Sequence, residues 1–333
     1  MGRVTTGAHP TSSPDFTHLH VHSEFSLLDG LSRIGPLTQR AADAGMKSLA
    51  ITDHGAMYGA IEFYQACGRA GIKPIIGVET YVAPRSHTDK EAKVDANPYH
   101  MILLAKDLVG YRNLMTLVTK AHLDGYYYKP RIDKELLAQH SEGLIGTSAC
   151  LGGEVLKRLA DGDERAARQA ADEYRSILGK DNFFIEVQDH GVPEQARLHP
   201  QLVELARGMG IPMLATNDTH YTVPEQHEAH DLLLCIGTGS NLDTPGRLRF
   251  ETNEFFLKSA AEMRSLFRGE LPDAMDNTLL VAEMVDLKLE FDQLRLPHFP
   301  VPDGETATTW MRKECERGLL ARYGSEPDES CRP

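Results

Sequence analysis

The chain has 333 residues and a formal net charge of −13 at neutral pH, with 41% apolar and 25% charged residues. No stretch approaches the roughly 20 apolar residues of a membrane span, and the acidic balance does not favour a free-standing nucleic-acid binder. Five scattered cysteines without an export signal argue against a disulfide framework. We therefore expect a globular, cytoplasmic protein without a membrane partner.

Short apolar runs rich in β-branched residues alternate with longer helical patterns, which is typical of βα units. Seven strands are predicted, at 16–22, 48–52, 74–78, 99–105, 144–148, 183–187 and 212–216. Helices are predicted between them, at 31–45, 57–70, 108–122, 153–178 and 194–209. Seven such units around a parallel sheet predict an α/β fold that closes, or nearly closes, into a barrel.

The two ends of the chain have a different composition. Residues 1–15 are rich in Ser, Thr, Pro and Gly, and we expect them to form a disordered leader. Residues 225–240 are predicted to be helical, and 246–263 to form a hairpin or an extended stretch that leads into a helix. A proline-rich connector comes after residue 290, and the single helical pattern that follows has little to pack against.

Three histidines, His18, His20 and His22, occupy alternate positions of the first predicted strand. Side chains two residues apart on a strand share a face, so the three imidazoles are predicted to point the same way. An isolated HxH pair is more often a pair of ordinary histidines than a metal site. Whether this HxH pair binds metal therefore depends on which residues stand at the ends of the other predicted strands.

Residue types that bind metal recur where the predicted strands end. The potential ligands after strands one, two, three, five and seven are His20, His22, Asp53, His54, Glu79, Cys150, Asp218 and His220. The strands of a parallel barrel end at one rim, so these groups are predicted to lie together. Their number exceeds the need of one tetrahedral ion and indicates a multinuclear metal site. Taken alone, Cys150 is more often an apolar filler, and the position of His100 at a strand start leaves it out.

An aromatic and basic loop follows the predicted helix 108–122. It contains Tyr126, Tyr127, Tyr128, Lys129 and Arg131. These side chains suit the stacking of a base or the binding of phosphate, and a purely structural loop is equally compatible with them. The polar residues after strand six are Glu186, Asp189 and His190, and the pattern is compatible with support of the ligands, contact with a substrate or a merely polar rim.

Five motifs carry a resemblance to a known family: HLHVHSEFSLLDG (18–30), ITDHGAMYG (51–59), GVETYVA (77–83), TSACLGGEV (147–155) and TNDTHY (216–221). With them the chain closely resembles the PHP (polymerase and histidinol phosphatase) domain at the N-terminus of the bacterial DNA polymerase III alpha subunit, a replicative C-family polymerase. The motifs GYYYKPRID (125–133) and RFETNEFFLKSAAEM (249–263) are similar to the replicative polymerase rather than to stand-alone PHP phosphatases.

The resemblance implies a distorted (β/α)7 barrel, similar to a TIM barrel, with a short C-terminal extension. It also implies up to three divalent metal ions. Carried over motif by motif, the ligands are His20, His22, Asp29, His54, Glu79, His100, Cys150, Asp218 and His220. Cys150 stands where PHP phosphatases usually carry a histidine, and His18 is interpreted as orienting its neighbours. Zinc suits a lone thiolate among imidazoles, although manganese or iron would also suit this set.

The implied metal-dependent phosphoesterase domain spans 16–285, and 286–333 would begin the polymerase core. We therefore expect the N-terminal part of a DNA-directed DNA polymerase, without its palm. The expected partners are the 3′ end of a DNA primer-template and the rest of the holoenzyme, with the sliding clamp and the clamp loader. Whether a separate proofreading subunit is also a partner is left open by the sequence.

The leading hypothesis is metal-dependent hydrolysis of phosphodiesters as a 3′-to-5′ proofreading exonuclease. Asp29, Asp218 and His220 are its expected catalytic residues, and Lys129 and Arg131 its expected contacts with DNA. The alternative is a docking module that has no catalytic activity of its own. Bound metal would stabilise this module, and a separate proofreading subunit would bind to it. A third hypothesis is small-molecule phosphomonoesterase activity, and the polymerase-type motifs count against it.

Overall fold

The computed structural model describes residues 15–267, 269–293 and 296–324. Within them the strands are β1 Ser48–Ile51, β2 Lys73–Val82, β3 Tyr99–Ala105, β4 Arg131–Ile132, β5 Leu144–Thr147, β6 Phe183–Val187 and β7 Met213–Ala215. The α-helices are α1 Ile34–Asp43, α2 Ala60–Ala70, α3 Leu108–Leu123, α4 Lys134–Gln139, α5 Glu154–Ala160, α6 Glu164–Leu178, α7 Pro193–Met209, α8 His227–Thr238, α9 Ala260–Leu266, α10 Pro272–Met284 and α11 Ala307–Tyr323. The chain divides into two compact units, one that ends at Lys288 and one that begins at Leu289.

The seven strands form one curved sheet in the order β1-β2-β3-β5-β6-β7, with β4 paired to β2. The segment predicted as the first strand, 16–22, is not one of these strands, and its residues 18–22 lie between the two ends of this sheet. On one side the His18 carbonyl accepts the Ala50 N–H at 2.9 Å, and on the other the His22 N–H donates to the Thr219 carbonyl at 2.8 Å. The segment therefore closes the sheet into the distorted α/β barrel that the sequence predicted.

The expectation of a wholly parallel sheet is wrong at β3. This strand runs antiparallel to both of its neighbours, β2 and β5. The connection from β2 to β3, residues 83–98, contains no helix, whereas a crossover between parallel strands usually includes one. Reversal of β3 brings its first residues to the rim where the other strands end.

Most of the predicted elements are present, with shifted ends. The helix predicted at 153–178 is two helices, because Gly162, in the left-handed region at φ 77°, breaks it. Two short elements, α4 and β4, were not predicted. The segment 246–259 forms neither a helix nor a hairpin, has one isolated bridge at Phe256, and leads into α9 as predicted. Of the predicted leader only Asp15 lies inside the described residues.

The core fills the space between the sheet and the surrounding helices. The helix α6 shows how the sequence specifies this packing, because its buried residues Ala167, Ala170, Ala171, Tyr174 and Leu178 repeat at helical spacing. The helix α11 has no buried residue. No helix within the described residues is long and apolar enough to cross a membrane.

Candidate metal centre

The nine residues implied as ligands gather at one end of the barrel around Glu79, which is 1% exposed. Its carboxylate Oε2 lies 2.7 Å from His54 Nδ1 and 3.2 Å from His22 Nε2. The same oxygen is 3.6 Å from His20 Nε2, and the second oxygen, Oε1, is 2.5 Å from His100 Nδ1. One buried carboxylate therefore faces four imidazoles.

Two aspartates lie at the edge of this cluster. Asp218 Oδ1 is 3.1 and 3.2 Å from the Nε2 atoms of the two histidines of the HxH pair. Asp29 Oδ2 is 3.2 Å from His54 Nε2. The ring of His220 stacks on that of His22 with 4.3 Å between centroids. Residues from the first and the last part of the barrel thus meet here.

Cys150 extends the cluster on the side of β3, with its Sγ 3.7 Å from His100 Nδ1 and 4.0 Å from Glu79 Oε1. The candidate ligand atoms form three overlapping groups, each within 4.8 Å, which are His22 with His54 and His220, His20 with His22 and Glu79, and Glu79 with His100 and Cys150. Groups that share members are what a multinuclear site requires. The number and identity of the ions remain predictions.

The donor set fits divalent metal ions. Within the described part of the chain, four buried atoms of the cluster lack a hydrogen-bond partner, which are Asp29 Oδ1, His54 Nδ1, Glu79 Oε2 and Asp218 Oδ1. A buried polar atom without a partner is costly. Two ligands of a tetrahedral ion, each at about 2.1 Å, are roughly 3.4 Å apart, close to the spacing of the opposed atoms here. Shared cations would satisfy these lone pairs.

Special backbone conformations present these groups. Asp218, at φ 40°, and Ala149, at φ 56°, lie in the left-handed region that L residues rarely adopt. Gly30 follows Asp29 in the turn after the HxH pair, and a Cβ on Gly30 would lie 1.9 Å from the carbonyl oxygen of Ser23. Only glycine therefore permits the turn that delivers Asp29.

Glu186, for which the sequence left support of the ligands, substrate contact and a polar rim open, supports the candidate ligand His20. It is buried in β6, and its Oε1 accepts hydrogen bonds from His20 Nδ1 at 2.6 Å and from Thr216 Oγ1 at 2.5 Å. Gln188 and Thr147 also donate to this carboxylate. Because Nδ1 is engaged, the Nε2 atom of His20 faces the cluster. A charge inside the apolar run FFIEV was the available signal.

Asp53 supports His22 through Ser26, although the strand-end pattern offered Asp53 as a ligand candidate. Ser26 Oγ lies 3.0 Å from His22 Nδ1 and donates to Asp53 Oδ1 at 2.8 Å. The carboxylate of Asp53 also accepts from the N–H and the hydroxyl of Ser23. Asp53 therefore holds the loop and the ring of His22, and does not face the cluster.

Burial and charge act together on protonation in the cluster. Burial lowers the pKa of His20, but the carboxylates of Asp218 and Glu186 outweigh this and hold that pKa well above its ordinary value. Burial, with the charges of Asp218 and Glu79, raises the pKa of the Cys150 thiol. A nearby cation is therefore needed for Cys150 to act as a thiolate ligand.

His18 does not join the cluster, so the expectation that the three imidazoles point the same way is wrong. Its Nε2 donates to the carbonyl of Lys258 at 2.8 Å, and its ring packs edge-on against Phe16. Burial lowers the pKa of His18 to about 4. The residue anchors the segment 16–22 to the chain near residue 258, which is an indirect way to orient the next two histidines.

The two expected DNA contacts have different environments. Arg131 is fully buried. Its guanidinium donates to four backbone carbonyls, those of His87, Asp89, Asp95 and Gly125. This burial contradicts the expectation that Arg131 binds DNA, because no phosphate can reach it. Lys129 is partly exposed, and its Nζ lies 5.2 Å from the centre of the Tyr81 ring.

Residues 18–190 match the model of the PHP domain. The chain belongs to the PHP domain family. Seven of the nine gathered residues lie inside this match, and the remaining two are Asp218 and His220. The PHP match also covers the supporting residues Asp53 and Glu186.

Curated relatives extend the similarity beyond the PHP match. The chain is 46% identical over 316 residues to DNA polymerase III subunit alpha of Treponema pallidum, which covers 94% of this chain and 27% of that protein. The protein of the same name from Thermus aquaticus is 43% identical over 321 residues, which covers 92% of this chain and 26% of the relative. The resemblance to the PHP domain of this polymerase subunit is confirmed, and the chain spans about a quarter of the length of these relatives.

Solved structures show more distant likenesses. A protein from Bifidobacterium adolescentis, described as a metal-dependent phosphoesterase, has a TM-score of 0.43 at 14% identity, over 78% of this chain and 97% of that one. A two-domain protein from Bacteroides vulgatus, described as PHP-like, has a TM-score of 0.39 at 15% identity, over 78% and 63%. Similarity this low says nothing about the chemistry of the PHP domain here.

Proposed function

We propose that this PHP domain hydrolyses phosphodiester bonds with bound divalent metal ions, as a 3′-to-5′ exonuclease on DNA. The observation that carries the proposal is the position of Glu79, whose carboxylate faces four imidazoles and the thiol of Cys150. Such a concentration of ligands around one buried carboxylate suits two or three ions that share it. Zinc suits the thiol and the imidazoles, and manganese or iron would also suit the carboxylates.

Ions bound here would activate a water for attack on phosphorus and neutralise charge on the phosphate. The residues of the chain determine where a substrate can approach. The side chains of His20, His22 and Glu79 are at most 1% exposed, whereas that of Asp29 is 22% exposed and that of Asp218 is 11% exposed. The side chains of His54 and His100 are 17% and 27% exposed as well, so a phosphodiester reaches the cluster over Asp29, His54 and His100, with Asp218 less exposed.

His220 completes the expected catalytic set with Asp29 and Asp218. Burial, with the neighbouring ring of His22, lowers the pKa of His220 to about 3. Its Nδ1 donates to the carbonyl of Asp218 at 2.8 Å, so the neutral ring directs Nε2 away from that bond. We assign it to ion binding beside the attacking water, and not to proton donation.

The curated relatives support DNA as the substrate, because they are DNA polymerase subunits. In such a polymerase the activity would remove misincorporated nucleotides from the 3′ end of a primer-template. The proposed partners are accordingly that DNA end and the remaining holoenzyme in the cytoplasm, with the sliding clamp and the clamp loader.

A metal-stabilised docking module for a separate proofreading subunit is the second candidate function. The near-complete burial of Glu79 and the HxH pair favours it, since ions bound there would stabilise the barrel even without catalysis. The two functions differ in one measurable property, because only the nuclease releases nucleotides from a DNA end.

The test is release of nucleotides from a 3′-labelled primer by the purified chain with manganese or zinc. Asp218→Asn, like Asp29→Asn, should abolish release while the fold survives, because asparagine tolerates the left-handed backbone at 218. Asp189→Asn is the matched control, since Asp189 caps the Gly191 N–H outside the cluster and should keep full activity. Equal release by wild type and Asp218→Asn would contradict the proposal. No release, with ions shown to be bound by elemental analysis, would favour the docking module.

A further inference from the structure

The loop 126–131 lies directly beside the metal centre. Lys129 Nζ lies 5.2 Å from the centre of the Tyr81 ring. The centre of the same ring lies 5.2 Å from that of the His100 ring and 6.1 Å from that of the His54 ring. One aromatic ring therefore separates the ammonium group from two candidate ligands.

Several contacts fix the backbone of this loop. The buried guanidinium of Arg131 fastens its end to four carbonyls. The Tyr127 N–H donates to the Lys129 carbonyl at 3.0 Å. Pro130 packs so closely against the turn after His54 that a Cβ on Gly55 would lie 2.7 Å from its Cγ. The loop therefore has a defined shape next to the centre.

The loop presents aromatic rings to solvent. The side chain of Tyr128 is 69% exposed although its backbone is left-handed, at φ 58°. The ring of Tyr127 packs edge-on against it at 4.6 Å, and Tyr126 is 53% exposed. A bulky residue thus keeps a strained backbone conformation while most of its side chain is in water. Such outliers are concentrated at binding and catalytic sites.

The charge of the loop differs from that of the cluster, whose members are acids, imidazoles and a thiol. Within the part of the chain that the structure describes, Lys129 forms no ion pair, and its ammonium contacts the Tyr81 ring. An unpaired cation beside two exposed phenol rings matches the two parts of a nucleotide, a phosphate and a flat base.

We infer that Tyr128, with Tyr126 on the same loop, stacks an unpaired nucleobase of the strand that enters the centre, while Lys129 holds the adjoining phosphate. The inference rests on the proposed nuclease function and specifies its substrate class. A base inside a duplex exposes neither face, so the substrate is a single-stranded end or an end frayed by a mismatch.

The first experiment measures binding without hydrolysis. A single-stranded oligonucleotide with 2-aminopurine at its 3′ end is titrated with the Asp218→Asn chain and manganese, because stacking on a tyrosine quenches this fluorophore. Adding Tyr128→Asn should weaken binding about tenfold and remove the quenching, whereas Tyr128→Phe should retain both. Unchanged affinity and quenching in Tyr128→Asn would overturn the inference.

The proposed contact between Lys129 and phosphate is tested by a substitution at Lys129 and a control substitution at Lys180. Lys129→Met should weaken binding and leave the quenching of bound oligonucleotide intact. Lys180→Met removes the same charge from an exposed position before β6, at the opposite end of the barrel, and should change nothing. Equal weakening by both substitutions would show only a general loss of charge and would overturn the assignment of Lys129.

The second experiment separates this inference from the nuclease proposal. In the wild-type background, Tyr128→Asn should slow hydrolysis of single-stranded and mismatched ends more than that of fully paired ends. If it slows all ends by the same factor, the stacking site is wrong and the nuclease stands. If no end is hydrolysed but the quenching still depends on Tyr128, the nuclease is wrong and the stacking site stands.

Discussion

Glu186 Oε1 lies 2.6 Å from His20 Nδ1, and both side chains are fully buried, although 166 residues separate them in the chain. This contact fixes the ring orientation of one candidate ligand. Carboxylates that hold metal-binding histidines in this way affect metal affinity strongly.

We expect Glu186→Gln to lower metal affinity by about 10- to 100-fold, because the amide holds His20 less firmly than a carboxylate. Competition against a chromogenic chelator measures the change. Glu204→Gln, at an exposed position of α7, is the control and should bind metal as wild type does. Equal affinity in both variants would show that the buried contact is not a support for the ligand.

Removal of metal should destabilise the barrel. With free metal at 100 times its dissociation constant, binding stabilises the folded state by about 2.7 kcal/mol. This corresponds to a shift in Tm of roughly 5–10 °C for a domain of this size. Differential scanning fluorimetry with EDTA, and then with metal restored, tests it. Asp218→Asn should respond less to EDTA, and an identical Tm with and without EDTA would contradict metal binding.

Cys150→Ser should reduce zinc affinity more than manganese affinity, since a thiolate is the softest ligand in the cluster. The ratio of the two dissociation constants is the quantity to measure. Cys315→Ser removes an exposed thiol from α11 and should leave the ratio unchanged. A parallel loss of both affinities in Cys150→Ser would mean that the thiol has no part in metal selectivity.

His18 should make stability depend on pH even without metal. Its pKa in the folded chain is about 4, below the ordinary 6.5, because the ring is buried. Between these pH values His18 is protonated in the unfolded chain and neutral in the folded chain. Its contribution to the free energy of unfolding is therefore complete above pH 6.5 and is lost as pH falls towards 4. The loss amounts to roughly 3 kcal/mol. Urea unfolding in EDTA should show a flatter pH profile for His18→Gln than for wild type, and parallel profiles would contradict this origin.

Arg131→Met should destabilise the fold by about 3 kcal/mol or more, because it leaves four carbonyls without their donor. Arg112→Met, at an exposed position of α3, should cost little. Urea unfolding measures both variants. Unchanged stability with a loss of DNA affinity in Arg131→Met would restore the original hypothesis that this residue contacts DNA.

Local features of the sequence determined much of the candidate site. The HxH pair, Asp29 in the same motif and the acid of GVE each stand in a short stretch whose pattern is visible in the sequence. Together with the resemblance they identified nine residues that the structure brings to one end of the barrel. The alternating apolar runs likewise predicted the strands, because side-chain periodicity is a local property.

Only the tertiary structure decided which way β3 runs, and this explains why His100, at the start of its strand, reaches the cluster. It also decided that Arg131 points into the protein and that Glu186 meets His20. Strand direction and burial depend on how distant segments pack, and no spacing along the chain specifies that. Sequence alone therefore determined which chemical groups are available, and packing decided which of them face the candidate metal centre, support it or lie away from it.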